Sequence, residues 1–198
     1  MREEKVEGIC LQETSYLEKS RILKVFTKEC GLIGIIEKRS KATLTPFSLG
    51  EWIIKKGKGD LYALQDASLL DPLLHLRSSY ETLMRAGKMT QDLLYSQLPE
   101  KSAPSLYLLF LSYLKRVAQF EKPAVLSASF QLKLLLHEGL FLLEPKSFPQ
   151  FSLSEWEVIL SLCRTPTFSE LNRLIFPNDL EKKIDIFFRQ VIHSSYSK

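Results

Sequence analysis

The distribution of glycine divides this chain into two parts of different character. Six of the eight glycines lie before Asp71-Pro72, where they separate short runs rich in β-branched and aromatic residues. After that point, apolar residues recur every three or four positions in leucine-rich segments. Strands separated by turns and followed by successive helices predict an α+β protein, with a β-barrel domain at residues 1–71 and an all-α helical domain at residues 72–198.

The first part contains five predicted strands: Glu4–Gln12, Lys19–Thr27, Leu32–Lys38, Phe47–Lys55 and Leu61–Ala67. Gly57 and Gly59 predict a tight hairpin between the last two strands, because glycine readily adopts positive φ. Five short strands suit a small closed barrel of the OB type, and an SH3-like barrel fits the pattern almost as well. Aromatic residues in barrel strands usually fill the core, so we expect Trp52 and Tyr62 to be buried.

The second part repeatedly shows the residue patterns with which helices begin. Asp71 followed by Pro72 is one such pattern. Capping-box spacing occurs at Ser152/Glu155, Thr167/Glu170 and Asn178/Glu181. An apolar stripe at helical spacing comprises Leu106, Phe110, Tyr113, Leu114 and Val117. Together with the prolines that divide the leucine-rich segments, these features predict a bundle of six or seven helices. Trp156 is expected to have a role in packing or in contact between domains.

Composition excludes several classes of protein. With 45% hydrophobic and 25% charged residues, the chain is typical of a globular protein. No basic segment followed by an apolar run stands at the start, and no apolar stretch of about 20 residues occurs, so we expect neither a signal peptide nor a membrane span. Three widely spaced cysteines predict free thiols in a reducing cytosol.

Catalytic and metal-binding patterns are missing from the sequence. The cysteines and histidines show no metal-ligand spacing. His137 and Glu138 are adjacent, and neighbouring helical side chains point apart, so they cannot act as a dyad. The lysines and glycines around Gly57 lack the spacing of a phosphate-binding P-loop. We therefore expect no enzymatic activity, no metal and no cofactor.

Basic clusters are the candidate binding residues. One cluster follows the third strand and another lies at the hairpin between the fourth and fifth strands. OB folds bind oligonucleotides across one sheet face and through the loops that join strands one to two and four to five. Tyr16, in the first of these loops, could stack on a base. The candidate DNA-binding residues are Arg21, Lys38, Arg39, Lys41, Lys55, Lys56 and Lys58. The alternative is that these are ordinary solvated side chains in turns.

Three short strings in a fixed order extend these observations: Glu7-Gly8-Ile9, Leu44-Thr45-Pro46-Phe47-Ser48 and Gly57-Lys58-Gly59-Asp60-Leu61. Their order and spacing, with the basic patch between the first and second, resemble the amino-terminal domain of the bacterial RecO family of DNA-repair and recombination mediators. The resemblance is best over residues 5–71 and favours the OB barrel over the SH3-like one.

The resemblance also implies a function. A RecO-like protein would bind single- and double-stranded DNA, promote strand annealing, and help to load RecA recombinase onto DNA coated by single-strand-binding protein. The implied partners are a RecR-like protein and the acidic tail of single-strand-binding protein, and the implied location is the bacterial cytoplasm, in association with the nucleoid.

Two departures from the family pattern stand out. Members of the family often carry a four-cysteine zinc module in the helical part, whereas residues 144–151 of this chain contain no cysteine. The basic stretch before Pro46 is also shorter than usual, which implies fewer phosphate contacts. The sequence thus predicts a divergent, shortened, zinc-free relative. A protein-interaction module with little DNA affinity and an RNA-binding OB protein remain as alternatives.

Overall fold

The computed structural model describes residues 3–18, 20–38, 44–57, 59–143, 150–165, 167–177 and 179–196. They form two compact units. Residues 1–76 and 97–112 make up the first, and residues 77–96 and 113–198 make up the second. A division at residue 71 into separate domains remains a prediction.

The first unit contains a closed five-stranded barrel. Its strands are β1 (Glu3–Tyr16), β2 (Ser20–Thr27), β3 (Gly31–Lys38), β4 (Leu49–Lys56) and β5 (Leu61–Asp71). Their order around the barrel is β1-β2-β3-β5-β4, and every pairing is antiparallel except that of β3 with β5. The predicted fold class, an OB-type barrel followed by helices, is confirmed.

The barrel core follows from the alternation of side chains along the strands. Leu23 and Val25 of β2 are fully buried, whereas Lys24 between them is exposed. Trp52 is also fully buried, and its indole Nε1 donates a hydrogen bond to the Gly8 carbonyl at 3.0 Å. Tyr62 is buried in the same core. The prediction that these two aromatic residues are core residues is confirmed.

The first and last strands of the barrel, β1 and β5, are longer than the sequence predicts. The first half of β1 pairs with β4 and the second half with β2, and a bulge between Cys10 and Gln12 marks the change. A bulge bends a strand and increases its twist, which helps to close the barrel. β5 runs on to Asp71, whose Oδ1 accepts a hydrogen bond from the Leu73 N–H at 2.8 Å. Asp71 therefore leads into a short 3-10 helix, Leu74–Arg77, rather than the expected α-helix.

The first unit also includes residues that follow the barrel by some distance in sequence. Phe26 of β2 contacts the rings of Tyr107 and Phe110, with centroid separations of 5.9 and 6.2 Å. The Tyr107 hydroxyl donates to Glu7 Oε1 at 2.9 Å. These contacts cover part of the outer barrel wall with apolar side chains.

Six α-helices lie within the described part of the chain, in agreement with the six or seven that the sequence predicts. They are α1 (Tyr80–Ser96), α2 (Pro104–Arg116), α3 (Pro123–His137), α4 (Leu153–Arg164), α5 (Phe168–Arg173) and α6 (Leu180–Tyr196). In the second unit, α3 is almost entirely buried and packs against α1, α4 and α6. None of the helices in the described ranges is long and apolar enough to cross a membrane.

The predicted helix starts have different outcomes. Ser152 forms the complete capping box with Glu155. Thr167 accepts a hydrogen bond from the Glu170 N–H at 3.3 Å, as a cap requires. Asn178 lies outside the described residues. Trp156 is buried and meets Phe141 edge-on, with ring centroids 5.9 Å apart, which confirms its packing role.

Candidate nucleic-acid interface

Three lysines lie on one continuous outer face of the barrel, which we call the lysine face. Lys24 is on β2, Lys38 ends β3, and Lys55 is on β4. All three alternate with buried residues, so they point away from the core. Lys24 and Lys38 are exposed, and Lys55 is partly exposed. The lysine face thus extends across β2, β3, β5 and β4.

The strand register fixes how close these lysines are. Lys24 is paired with Gly34 of β3, and Lys38 lies four residues further along that strand. Ala63 of β5 pairs with Ile36 of β3 on one side and with Lys55 on the other. With strands about 4.8 Å apart and about 3.3 Å per residue, the three lysine Cα atoms are separated by roughly 10–20 Å. Lysine side chains at this spacing can contact several phosphates of one strand.

No ion pair neutralises the lysine face among the described residues. Neither Lys24, Lys38 nor Lys55 is within salt-bridge distance of a described carboxylate. Glu3 is the register partner of Lys55 across the β1–β4 pair, yet no ion pair joins them. The positive charge of the three ammonium groups is therefore available to an anion in solvent.

The centre of the lysine face is partly apolar and closely packed. Ile22, Ile36, Leu61 and Ala63 are half-buried there. A Cβ at Gly34 would meet Leu61 Cδ2 at 2.6 Å, so glycine allows β5 to lie close against β3 at this point. The result is an apolar floor surrounded by the ammonium groups.

Tyr16 lies at one edge of this face. It pairs with Ser20 of β2, and Ser20 pairs in turn with Lys38 of β3. Tyr16 is 42% exposed. A base that stacks on this ring would have its phosphate within reach of a lysine two strands away.

Arg21 occupies a different environment from the lysines. It is 7% exposed and lies at one end of the barrel interior. Its Nε donates to Glu37 Oε2 at 2.6 Å, Nη1 to Glu13 Oε2 at 2.8 Å, and Nη2 to the Leu44 carbonyl at 3.0 Å. Burial lowers the pKa of the guanidinium, but the hydrogen bonds to Glu37 and Glu13 more than offset this and leave it raised. Arg21 therefore joins three strands beneath the surface.

Lys56 faces the other side of β4 from Lys55. Its Nζ forms an ion pair with Glu100 and lies 4.6 Å from the centroid of the Tyr62 ring. The hydrogen bond that its ammonium group donates to Glu100 raises the pKa of Lys56. Part of its charge is thus already compensated within the first unit.

The remaining candidates, Arg39, Lys41 and Lys58, lie outside the described residues. Sequence reasoning missed Lys24, although its signal was present. The alternation Arg21-Ile22-Leu23-Lys24 places Lys24 on the face opposite Leu23, and hence on the outside of any barrel whose core contains Leu23. The clusters of basic residues in the sequence instead favoured the loops as candidate binding sites.

Comparison with known proteins agrees with this architecture. Residues 1–73 match the family described as Recombination protein O N terminal. DNA repair protein RecO of Chlamydia trachomatis serovar D is 28% identical, over 91% of this chain and 89% of the relative. The RecO protein of Chlamydia pneumoniae is 32% identical, over 71% of this chain and 58% of the relative, and that of Caldicellulosiruptor bescii is 29% identical, over 70% and 59%.

The fold and the lysine face define an OB-barrel protein with a helical second half. The matches extend from the barrel into the helical half, because the longest of them cover nearly the whole chain. The chain is thus similar to the RecO family, as a divergent relative.

Metal-ligating side chains do not converge in the part of the chain that the structure describes, where no group of three or more His, Cys, Asp or Glu residues could hold an ion. Cys10, Cys30 and Cys163 are free. Burial raises the pKa of Cys10 and of Cys163 to about 12, so both thiols remain protonated near neutral pH and are poor metal ligands.

We expect the purified protein to contain no stoichiometric zinc, since structural zinc requires about four converging sulfur or nitrogen ligands. Elemental analysis of the untagged protein after dialysis provides the measurement. One zinc per chain that survives a brief chelator wash would contradict the expectation.

Proposed function

We propose that this protein is a non-enzymatic DNA repair and recombination mediator that binds nucleic-acid strands on the lysine face. Similarity to the RecO family supports a general role in DNA repair and recombination. The observation that carries the finer proposal is the presence of Lys24, Lys38 and Lys55 on one barrel face, without ion-pair partners among the described residues. Arg39, Lys41 and Lys58 belong to the same proposal, as further phosphate contacts from the neighbouring loops.

Such a face can act without any covalent step. Lysines that neutralise phosphates release condensed counterions, which gives affinity for any sequence. Two strands held with their charge reduced repel each other less, so that complementary bases can pair. We propose that the protein anneals strands in this way and helps RecA to replace single-strand-binding protein, with a RecR-like partner, in the bacterial cytoplasm at the nucleoid.

A cavity in the second unit supports the proposed partnership with the acidic tail of single-strand-binding protein. The cavity has a volume of about 470 Å³ and lies between α1 and α6. Lys88, Arg189 and His193 provide basic groups, and Phe188 and Ile192 provide apolar walls. This combination suits a peptide that ends in an apolar residue and carries carboxylates.

Asp92 at the same cavity does not abolish this electrostatic match. Burial raises its pKa to about 6, so it is less fully ionised near neutral pH than a surface aspartate. Lys88 Nζ lies 3.4 Å from its Oδ2. Arg189 contributes most of the accessible positive charge, since its side chain is 73% exposed, although its Nε lies 3.2 Å from Asp185 Oδ2.

Arg189→Glu should weaken binding of a labelled acidic tail peptide by about tenfold or more, because a favourable contact becomes a repulsive one. Fluorescence anisotropy gives the dissociation constant. Arg173→Glu is the matched control, since Arg173 is exposed on α5 and does not line this cavity. Equal losses in the two variants would indicate general charge attraction and would contradict a specific peptide site.

The DNA-binding proposal has two rivals, an RNA-binding protein and a pure protein-interaction module. A titration of the whole protein with labelled single-stranded DNA and RNA of the same sequence, at several salt concentrations, separates them. We expect binding to DNA that weakens steeply with salt. Clearly tighter binding to RNA would favour the first rival, and no binding at low salt would favour the second.

A further inference from the structure

Glu100 neutralises a basic side chain of the first unit, Lys56, that would otherwise be unpaired at the surface. Its carboxylate forms an ion pair with Lys56 Nζ, at the end of β4 beside the hairpin that leads into β5. The two side chains are 40% and 39% exposed, so the pair lies at the surface and not in the core. The Lys56 Nζ also lies 3.5 Å from the Tyr62 hydroxyl. No other carboxylate among the described residues pairs with Lys56.

The backbone holds Glu100 firmly in this position. The Glu100 N–H donates to the Leu32 carbonyl at 2.9 Å, and Pro99 forms a bridge with Leu32 in the parallel sense. The next residue is close as well, because a Cβ at Gly31 would meet the Lys101 carbonyl oxygen at 2.0 Å. Residues 99–101 thus lie against the start of β3, and the fold determines the position of the carboxylate.

The conformation of Glu100 is unusual for a glutamate. Its φ is +58°, in the left-handed region that glycine and asparagine tolerate better. A residue kept at such a backbone angle is strained, and strained residues occur often at functional sites. An exposed ion pair contributes little to stability, so the Lys56 contact alone gives little structural reason for a glutamate there.

We propose that Glu100 is an intramolecular competitor for nucleic-acid phosphate at Lys56 and thereby limits the affinity of the barrel for DNA. The inference rests on the proposed function, because it concerns the same barrel and the loop between β4 and β5. A carboxylate and a phosphate oxygen accept the same N–H donors. A phosphate that approaches Lys56 must displace the Glu100 carboxylate and is repelled by its negative charge, so Lys56 contributes little to binding while Glu100 is ionised.

The competition has a consequence for annealing. A protein that must hold two strands and then release the paired product benefits from limited affinity for each. By pairing with Lys56, the Glu100 carboxylate lowers the affinity for DNA without changing the lysine face itself. A partner that engages residues 97–103 could then raise DNA affinity by drawing Glu100 away from Lys56.

The test compares Glu100→Gln, Lys56→Ala and the double variant in salt titrations with labelled single-stranded DNA. We expect Glu100→Gln to bind roughly 3- to 10-fold more tightly at low salt, with a salt slope steeper by about 0.7, because one more phosphate is neutralised. Lys56→Ala alone should change affinity less than about twofold. In the double variant the gain should disappear, because the lysine that is released by Glu100→Gln is no longer there.

Asp60→Asn is the matched control, since it removes the same charge from the hairpin that follows Lys56. Asp60 is exposed and forms no ion pair among the described residues. A gain in Asp60→Asn equal to that in Glu100→Gln would overturn the inference, and so would a gain that persists in the double variant. If the parent binds DNA and Glu100→Gln binds with the same affinity and salt slope, this inference is overturned while the proposed DNA binding stands. If neither protein binds at the lowest salt, the proposed DNA binding fails, and the inference fails with it.

Discussion

Arg21→Ala should destabilise the barrel by about 3–5 kcal/mol, because removal of one partner leaves buried charge without compensation. Glu37 is 5% exposed and would lose its 2.6 Å contact with the Arg21 Nε. The Leu44 carbonyl would lose a donor at the same end of the barrel. No comparable penalty applies to Lys38→Ala, because Lys38 is exposed.

Urea unfolding followed by the fluorescence of Trp52 measures this loss in the barrel. A Trp156→Phe background removes the other tryptophan, which lies in the second unit. Arg21→Lys should be intermediate, since it keeps the charge but loses the fork of donors that reaches two carboxylates and a carbonyl. If Arg21→Ala unfolds at the same urea concentration as Lys38→Ala, the buried network does not hold the barrel together.

The contrast between Arg21 and Lys24 shows what could be predicted from the sequence. Alternation along β2 places Arg21 in phase with Leu23 and Val25, and Lys24 out of phase, so both positions can be derived from the pattern. The acidic partners of Arg21 could not be derived in the same way. Glu13 comes opposite Leu23 only because the bulge between Cys10 and Gln12 shifts the register of β1.

The part of the chain that follows the barrel strands shows the same limit. Ser152 and Thr167 cap helices as their local spacing predicts, because a cap depends on residues within one turn. The position of Glu100 depends on a bridge between Pro99 and Leu32, which are far apart in sequence. No local pattern contains that information, so the ion pair with Lys56 could be found only in the folded structure.

The combined variant Lys24→Ala, Lys38→Ala, Lys55→Ala should lose most of the electrostatic affinity for DNA. Each phosphate contact contributes about 0.7 to the salt slope on a single strand, so three lost contacts should flatten the slope by about 2. The loss should be similar for oligonucleotides of different sequence, because phosphate contacts carry no sequence information. Stability should change little, since the three side chains lie on the surface.

A matched control for this variant is available in the chain itself. Lys115, Lys122 and Lys182 are exposed and belong to the second unit. Their combined change to alanine removes the same net charge from the protein. A difference between the two triple variants therefore reports the position of the charge and not its amount.

The dependence of the dissociation constant on salt, measured in parallel for the parent and the two triple variants with one labelled single strand, tests the central proposal most directly. The lysine face predicts a slope flatter by about 2 in the Lys24/Lys38/Lys55 variant and a parental slope in the Lys115/Lys122/Lys182 variant. Parental slope and affinity in the first variant, or equal losses in both, would show that DNA does not bind at this face of the barrel.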